Sequence, residues 1–193
     1  MGMLIVLAIA VGAIFWVIGA YNGLIALKNR VLNAWKQIDV QLKRRHDLIP
    51  NLIETVKGAM GFERETLEAV IAARNKAIGA QGVAATAKAE GELGQALGRL
   101  FALTENYPDL KATGNVAQLQ EELTSTENKI AFARQLYNDE ATLYNTKQMQ
   151  FPTSLVAGLA KASPAELWAI EDAAERAVPK VNLGFGKPTP PAA

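Results

Sequence analysis

From Met1 to Leu27 no position carries Asp, Glu, Lys, Arg or His, and the first charged side chain is Lys28. Between Met3 and Ala20 nearly every side chain is aliphatic, small or aromatic. A helix needs roughly 20 such residues to cross about 30 Å of hydrocarbon, so residues 1–27 read as a transmembrane anchor. Beyond it the apolar period changes. Val31, Trp35, Ile38, Leu42, Arg45, Ile49, Leu52 and Val56 alternate steps of four and three, the seam of a helix packed on helices. Pro50 falls inside that pattern and should kink the helix or start a new one, because it lacks an N–H and disfavours helix at Ile49.

The same reading predicts a second helix over 63–78, with Leu67, Val70, Ile71, Ala77 and Ile78 on one face, and a third over 83–106. Gly91, Gly94 and Gly98 interrupt the third at roughly 1 kcal/mol each against Ala, which suggests close packing between helices. A fourth helix over 116–150 carries Val116, Leu119, Leu123, Thr126, Ile130, Ala133, Tyr137, Glu140 and Tyr144 on its seam. Ser163 and Pro164 have the character of a cap and first turn, predicting a shorter helix to Ala177. No strand-like alternation of useful length occurs. The expected fold is all-α: an anchor at 1–27, an antiparallel up-down four-helix bundle at 28–151, a membrane-proximal helical segment at 152–178, and an irregular Pro-rich tail at 179–193.

Composition narrows the function. Net charge is +1 and hydrophobic content 50%, so no polyelectrolyte character points to nucleic acid. There is no Cys, which removes disulfides, thiolate metal sites, thiol nucleophiles and lipobox acylation. His46 is the only histidine, so a Glu-x-x-His di-metal centre cannot be built on two helices. No nucleophile elbow or phosphate-binding loop occurs either. The expectation is a protein without catalytic residues, cofactor or metal.

What remains are candidates for structure and interaction. Lys43, Arg44, Arg45 and His46 form a basic cluster, in which Arg45 lies on the apolar seam and should pair with Glu127 or Glu140 while the other three face water. Thr126, Glu127, Asn128, Asp139 and Glu140 suggest a buried polar layer that fixes register. Gly19 and Gly23 have the small-x-x-x-small spacing that lets spanning helices approach closely. Residues 28–50 hold six basic side chains against two acidic, Asp39 and Asp47, which favours a cytoplasmic body by the positive-inside rule. Ile18-Gly19-Ala20 also passes as a cleavage site, leaving a removable signal peptide as the alternative.

Two long blocks resemble the LemA family. The first runs through Tyr21-Asn22, Asn29, Val31, Ala34-Trp35, Ile38-Asp39-Val40-Gln41-Leu42-Lys43-Arg44-Arg45 and Asp47-Leu48-Ile49-Pro50-Asn51-Leu52. The second comprises Tyr107-Pro108-Asp109-Leu110-Lys111-Ala112, Leu119 to Leu123, Thr126 to Arg134 and Tyr137-Asn138-Asp139; Phe151-Pro152 and Val178 to Val181 match the closing segment. The resemblance implies a four-helix core behind an N-terminal membrane attachment, with no assigned enzymatic activity. It also implies kinship with proteins linked to building internal membranes in magnetosome-forming bacteria. Many relatives place a lipobox Cys where Ala20 stands, and their bodies lie outside the cytoplasm, so the side of the membrane stays open. Relatives often have His where this chain has Phe62. The expected partners are the lipid bilayer and further copies of the chain, as an oligomerising scaffold or membrane-shaping protein. The alternative is an anchored adaptor docking a membrane protease or transport component.

Overall fold

The computed structural model describes residues 1–58, 63–108, 110 and 114–169. Among these residues every regular element is helical. α1 spans Gly2–Lys57, α2 Arg64–Gly79, α3 Val83–Thr104, α4 Gly114–Met149 and α5 Ser154–Ala157.

α1 is one unbroken helix of 56 residues, about 84 Å long at 1.5 Å per residue. Residues 1–16 are all exposed, and α1 is the one described helix apolar and long enough to be a candidate membrane span. The helix does not restart at Pro50. That ring faces outward, while Ile49, Leu52 and Ile53 are buried around it, and their packing outweighs one missing N–H.

α4 runs antiparallel along α1, and two contacts define the register. Trp35 meets Tyr137 and Arg45 meets Glu127, ten residues up one helix for ten residues down the other. α2 and α3 form a hairpin that packs beside the distal half of this pair, giving an up-down bundle of four helices. Its core joins Ile49, Leu52 and Val56 to Val70, Leu93, Leu97, Leu100, Val116 and Leu123. A second core lies nearer the anchor, where Leu24, Val31, Ala34, Ile38 and Leu42 pack on Ile130, Ala133, Tyr137, Ala141 and Tyr144.

Several expectations are corrected. Ile71 and Ile78 are exposed, because the buried face of α2 runs through Leu67, Val70 and Ala77. On α4 the seam passes through Ala141, and Glu140 is only half-buried. A Cβ on Gly91 or Gly98 would meet nothing within 4 Å, so these are not close-packing sites; only Gly94 of the three has a neighbour, the Arg45 guanidinium at 3.5 Å.

The largest departure is at the C-terminal side. Residues 162–169 are not helical; the remainder of the expected 164–177 helix, and the tail from 179, lie outside the described residues. Two asparagines explain the extended path. The Asn145 amide donates to the Ala165 carbonyl (2.8 Å) and its oxygen accepts from the Ala165 N–H (2.7 Å). Asn138 does the same with Trp168, at 3.0 and 2.8 Å. Seven helical residues rise about 10.5 Å, and three extended residues cover about 10 Å. The spacings therefore match, and the side-chain amides supply the partners that helix formation would otherwise provide. The Tyr137 hydroxyl adds a bond to the Glu166 carbonyl (2.6 Å).

Candidate functional site

Between the two apolar cores sits a layer of charge. Leu42 and Ile49 bracket it on α1, Leu123 and Ile130 on α4. Arg45 is buried and its Nη1 reaches Glu127 Oε2 at 2.9 Å and Glu90 Oε2 at 3.4 Å. His46, also buried, places Nε2 2.6 Å from Glu90 Oε1. The carboxylate accepts, so this ring nitrogen carries the hydrogen. Arg74 of α2 donates from Nε to the His46 backbone carbonyl at 2.7 Å. The layer thus draws a side chain from every helix of the bundle: α1, α2, α3 and α4.

Of the sequence candidates, Arg45 and Glu127 meet as expected. Glu140 does not join them. Asn128 and Asp139 are exposed and take no part in the layer, because they fall on the outer side of α4. His46 is buried rather than solvated, as the helix turns it from Arg45 toward α3. Glu90 was not singled out in the sequence, yet it is the centre of the network. Its signal is the α3 seam itself: Thr86, Glu90, Leu93, Leu97, Leu100 and Thr104 step four and three.

Arg44 and Asp39 are exposed. Asp39 lies on the rim of a groove between α1 and the α2–α3 turn, with Trp35, Lys43, His46 and Gly82 around it, and partial desolvation raises its carboxyl pKa. Asp47 is held in its charged form by the Lys43 ammonium, which donates to it at 2.6 Å and lowers its pKa.

Nearer the anchor, Trp35 forms an aromatic cluster with Tyr137, edge-on at 5.4 Å between ring centroids, and with Trp168 at 6.0 Å. The Arg134 guanidinium lies over the Trp168 ring at 5.3 Å. Gly19 and Gly23 stand open on α1, and a Cβ added at either would meet nothing within 4 Å. Among the described residues no three metal-ligating side chains converge. Among the described residues the charged layer is an ion-pair network, and the groove lined by Asp39, Lys43, His46 and Thr86 runs along its edge. Its geometry suits holding four helices in one register.

A profile of the LemA family matches residues 34–183. Protein LemA of Metamycoplasma hominis is 30% identical over 152 residues, covering 77% of this chain and 69% of that relative. Magnetosome protein MamQ 2 of Paramagnetospirillum magneticum is 24% identical over 172 residues, 76% of this chain and 63% of its own length. Magnetosome protein MamQ of Magnetospirillum gryphiswaldense is 33% identical over 69 residues, 36% of this chain and 25% of its own. The chain therefore spans less than two thirds of the magnetosome relatives it matches. With an apolar N-terminal helix leading into an all-helical body, and a match across most of its length, the protein is a membrane-associated member of the LemA family.

Proposed function

We propose that this protein is a non-catalytic scaffold that spans the membrane once through α1 and assembles laterally with copies of itself. The observation that carries the reading is an uncovered apolar stripe on the α1–α4 pair, opposite the α2–α3 hairpin. Val40 and Phe132 stand level in the antiparallel register, and both are exposed, with Leu136 one turn further along α4. Gln41 lines the same groove, and its side-chain oxygen has no hydrogen-bond partner among the described residues. A partner helix laid in the groove would cover the exposed apolar side chains.

The same rod carries Gly19 and Gly23 inside the uncharged segment, where close helix approach is possible. Because anchor and bundle share one helix, lateral contacts would fix the body's angle to the bilayer. Repeated contacts of that kind close into rings or continue as open arrays according to their rotation. That two relatives are named magnetosome proteins supports a membrane setting for such an array.

The test is assembly size. Wild-type protein in mild detergent should sediment as a species larger than a dimer. Phe132→Asp, and separately Gly19→Leu with Gly23→Leu, should shift it toward monomer while membrane insertion is retained. Each of these positions is open in the single chain, so the substitutions leave its folding intact. A wild-type protein that stays monomeric at every concentration would replace the scaffold by an anchored adaptor for another protein.

A further inference from the structure

We infer that the turn after α4 is a second membrane contact, seated at the interface of the bilayer beside the anchor. The inference rests on the reading of α1 as a membrane span and adds a surface to it. It starts from register. Carrying the antiparallel pairing of α1 and α4 onward from Trp35–Tyr137 and Arg45–Glu127 places Lys28 level with Tyr144 and Gly23 level with Met149. α4 therefore runs past the last charge of α1 and ends beside its uncharged segment. The turn beginning at Phe151 lies at about the height of Tyr21, roughly 10 Å below Lys28.

The chemistry of the turn agrees with that position. Between Lys147 and Lys161 there is no charged residue. Thr153, Val156 and Ala160 are buried against the bundle, at a spacing of three and four. On a water-facing segment the opposite side would be polar. Here it carries Phe151, Leu155 and Leu159, exposed by 80%, 69% and 69%, again at steps of four. Met149, at the end of α4, is exposed as well. An element apolar on both faces has two apolar neighbours: the bundle core on one side and hydrocarbon on the other. Lys147 and Lys161, flanking the charge-free run, have the long stems that reach back to headgroup level. The surface is continuous with the apolar face of α1, so the occupant it fits is the same bilayer, entered to shallow depth.

The absence of cysteine makes the experiment direct. Single cysteines at Phe151, Leu155, Leu159, Val11 and Ala69 of the full chain would each carry an environment-sensitive fluorophore. The protein is reconstituted into vesicles of phosphatidylcholine and phosphatidylglycerol. Labels at 151, 155 and 159 should emit to the blue, be quenched by lipids spin-labelled high on the acyl chain, and resist aqueous iodide. The label at 11 reports the anchor and the label at 69, on the exposed side of α2, the solvated body. If 11 is quenched by lipid while 151, 155 and 159 behave like 69, the turn is solvated and the inference is overturned with the anchor reading intact. If 11 itself is open to iodide, the spanning reading fails first. To exclude a turn dragged in by the dye, Leu155→Asp with Leu159→Asp is compared by the label at 151. The doubly charged turn should lose at least half of its lipid quenching, and unchanged quenching would also overturn the inference.

Discussion

At the scale of single residues the charged layer has the sharpest consequences. Arg45 is buried and shares two carboxylates, so Arg45→Ala leaves Glu90 facing only His46. Removing one member of a buried pair costs on the order of 3–5 kcal/mol. Because a partner survives in each case, Arg45→Ala and Glu90→Ala should each lie near the lower end, as read by urea denaturation. Loss of less than about 1 kcal/mol for both would mean that the layer does not hold the bundle. Tyr137 gives a pH prediction. Burial first, and the Glu166 charge second, push its phenol pKa above the ordinary value of 10.0. The folded state thus holds this proton more tightly than the unfolded chain. The associated stability is complete below pH about 10 and is lost as the pH rises through the higher folded pKa. Tyr137→Phe should flatten that part of the alkaline loss and cost about 1 kcal/mol at neutral pH, for the bond to the Glu166 carbonyl.

At the scale of elements the asparagine pair does what a helix cap does elsewhere: it decides where a segment of backbone finds its hydrogen bonds. Asn138→Ala or Asn145→Ala leaves an N–H and a carbonyl of the extended segment unpaired at a half-buried interface. Each should cost about 1–3 kcal/mol and free the chain around Trp168, seen as a red shift of tryptophan emission and faster proteolysis near residue 165. This segment also shows where sequence reasoning stops. The seams of α1 and α4 were legible because each of these long helices repeats its apolar step many times, and Arg45 was legible because a charge on such a seam needs a partner. Pro164 after Ser163 is a sound local signal for a helix start. It was overridden by two amides on another helix, twenty and thirty residues away in sequence, a match of spacings visible only once α4 and the segment are side by side. Ile71 and Ile78 misled for a related reason: a short helix covered on one side buries a narrower stripe than its apolar content suggests. Glu90 was missed because an Ala- and Gly-rich stretch has a weak seam in which one carboxylate does not stand out.

At the scale of the whole molecule, the protein divides at the first charged residue. Deleting residues 1–20 should leave a folded helical body, since the cores begin at Leu24 and nearly all of the removed side chains are exposed. Circular dichroism should show near-native helicity. With the turn after α4 as a shallow contact in place of a span, the truncated protein should still bind vesicles weakly. A truncated chain without helical signal would show that the anchor is needed for folding.

With α1 read as a membrane span, its unbroken passage into the bundle has a mechanical meaning. From Lys28 to Lys57 the helix extends about 44 Å, with no loop to absorb rotation. A spanning helix answers a change in bilayer thickness by tilting, and here the tilt cannot be dissipated at a hinge. A change of about 10° would sweep the distal end of the bundle sideways by roughly 8 Å, given that rise per residue. On that reading the protein is a lever with one arm in lipid and the other carrying the charged layer. Thinning or thickening of the membrane would then displace the distal end of the bundle sideways.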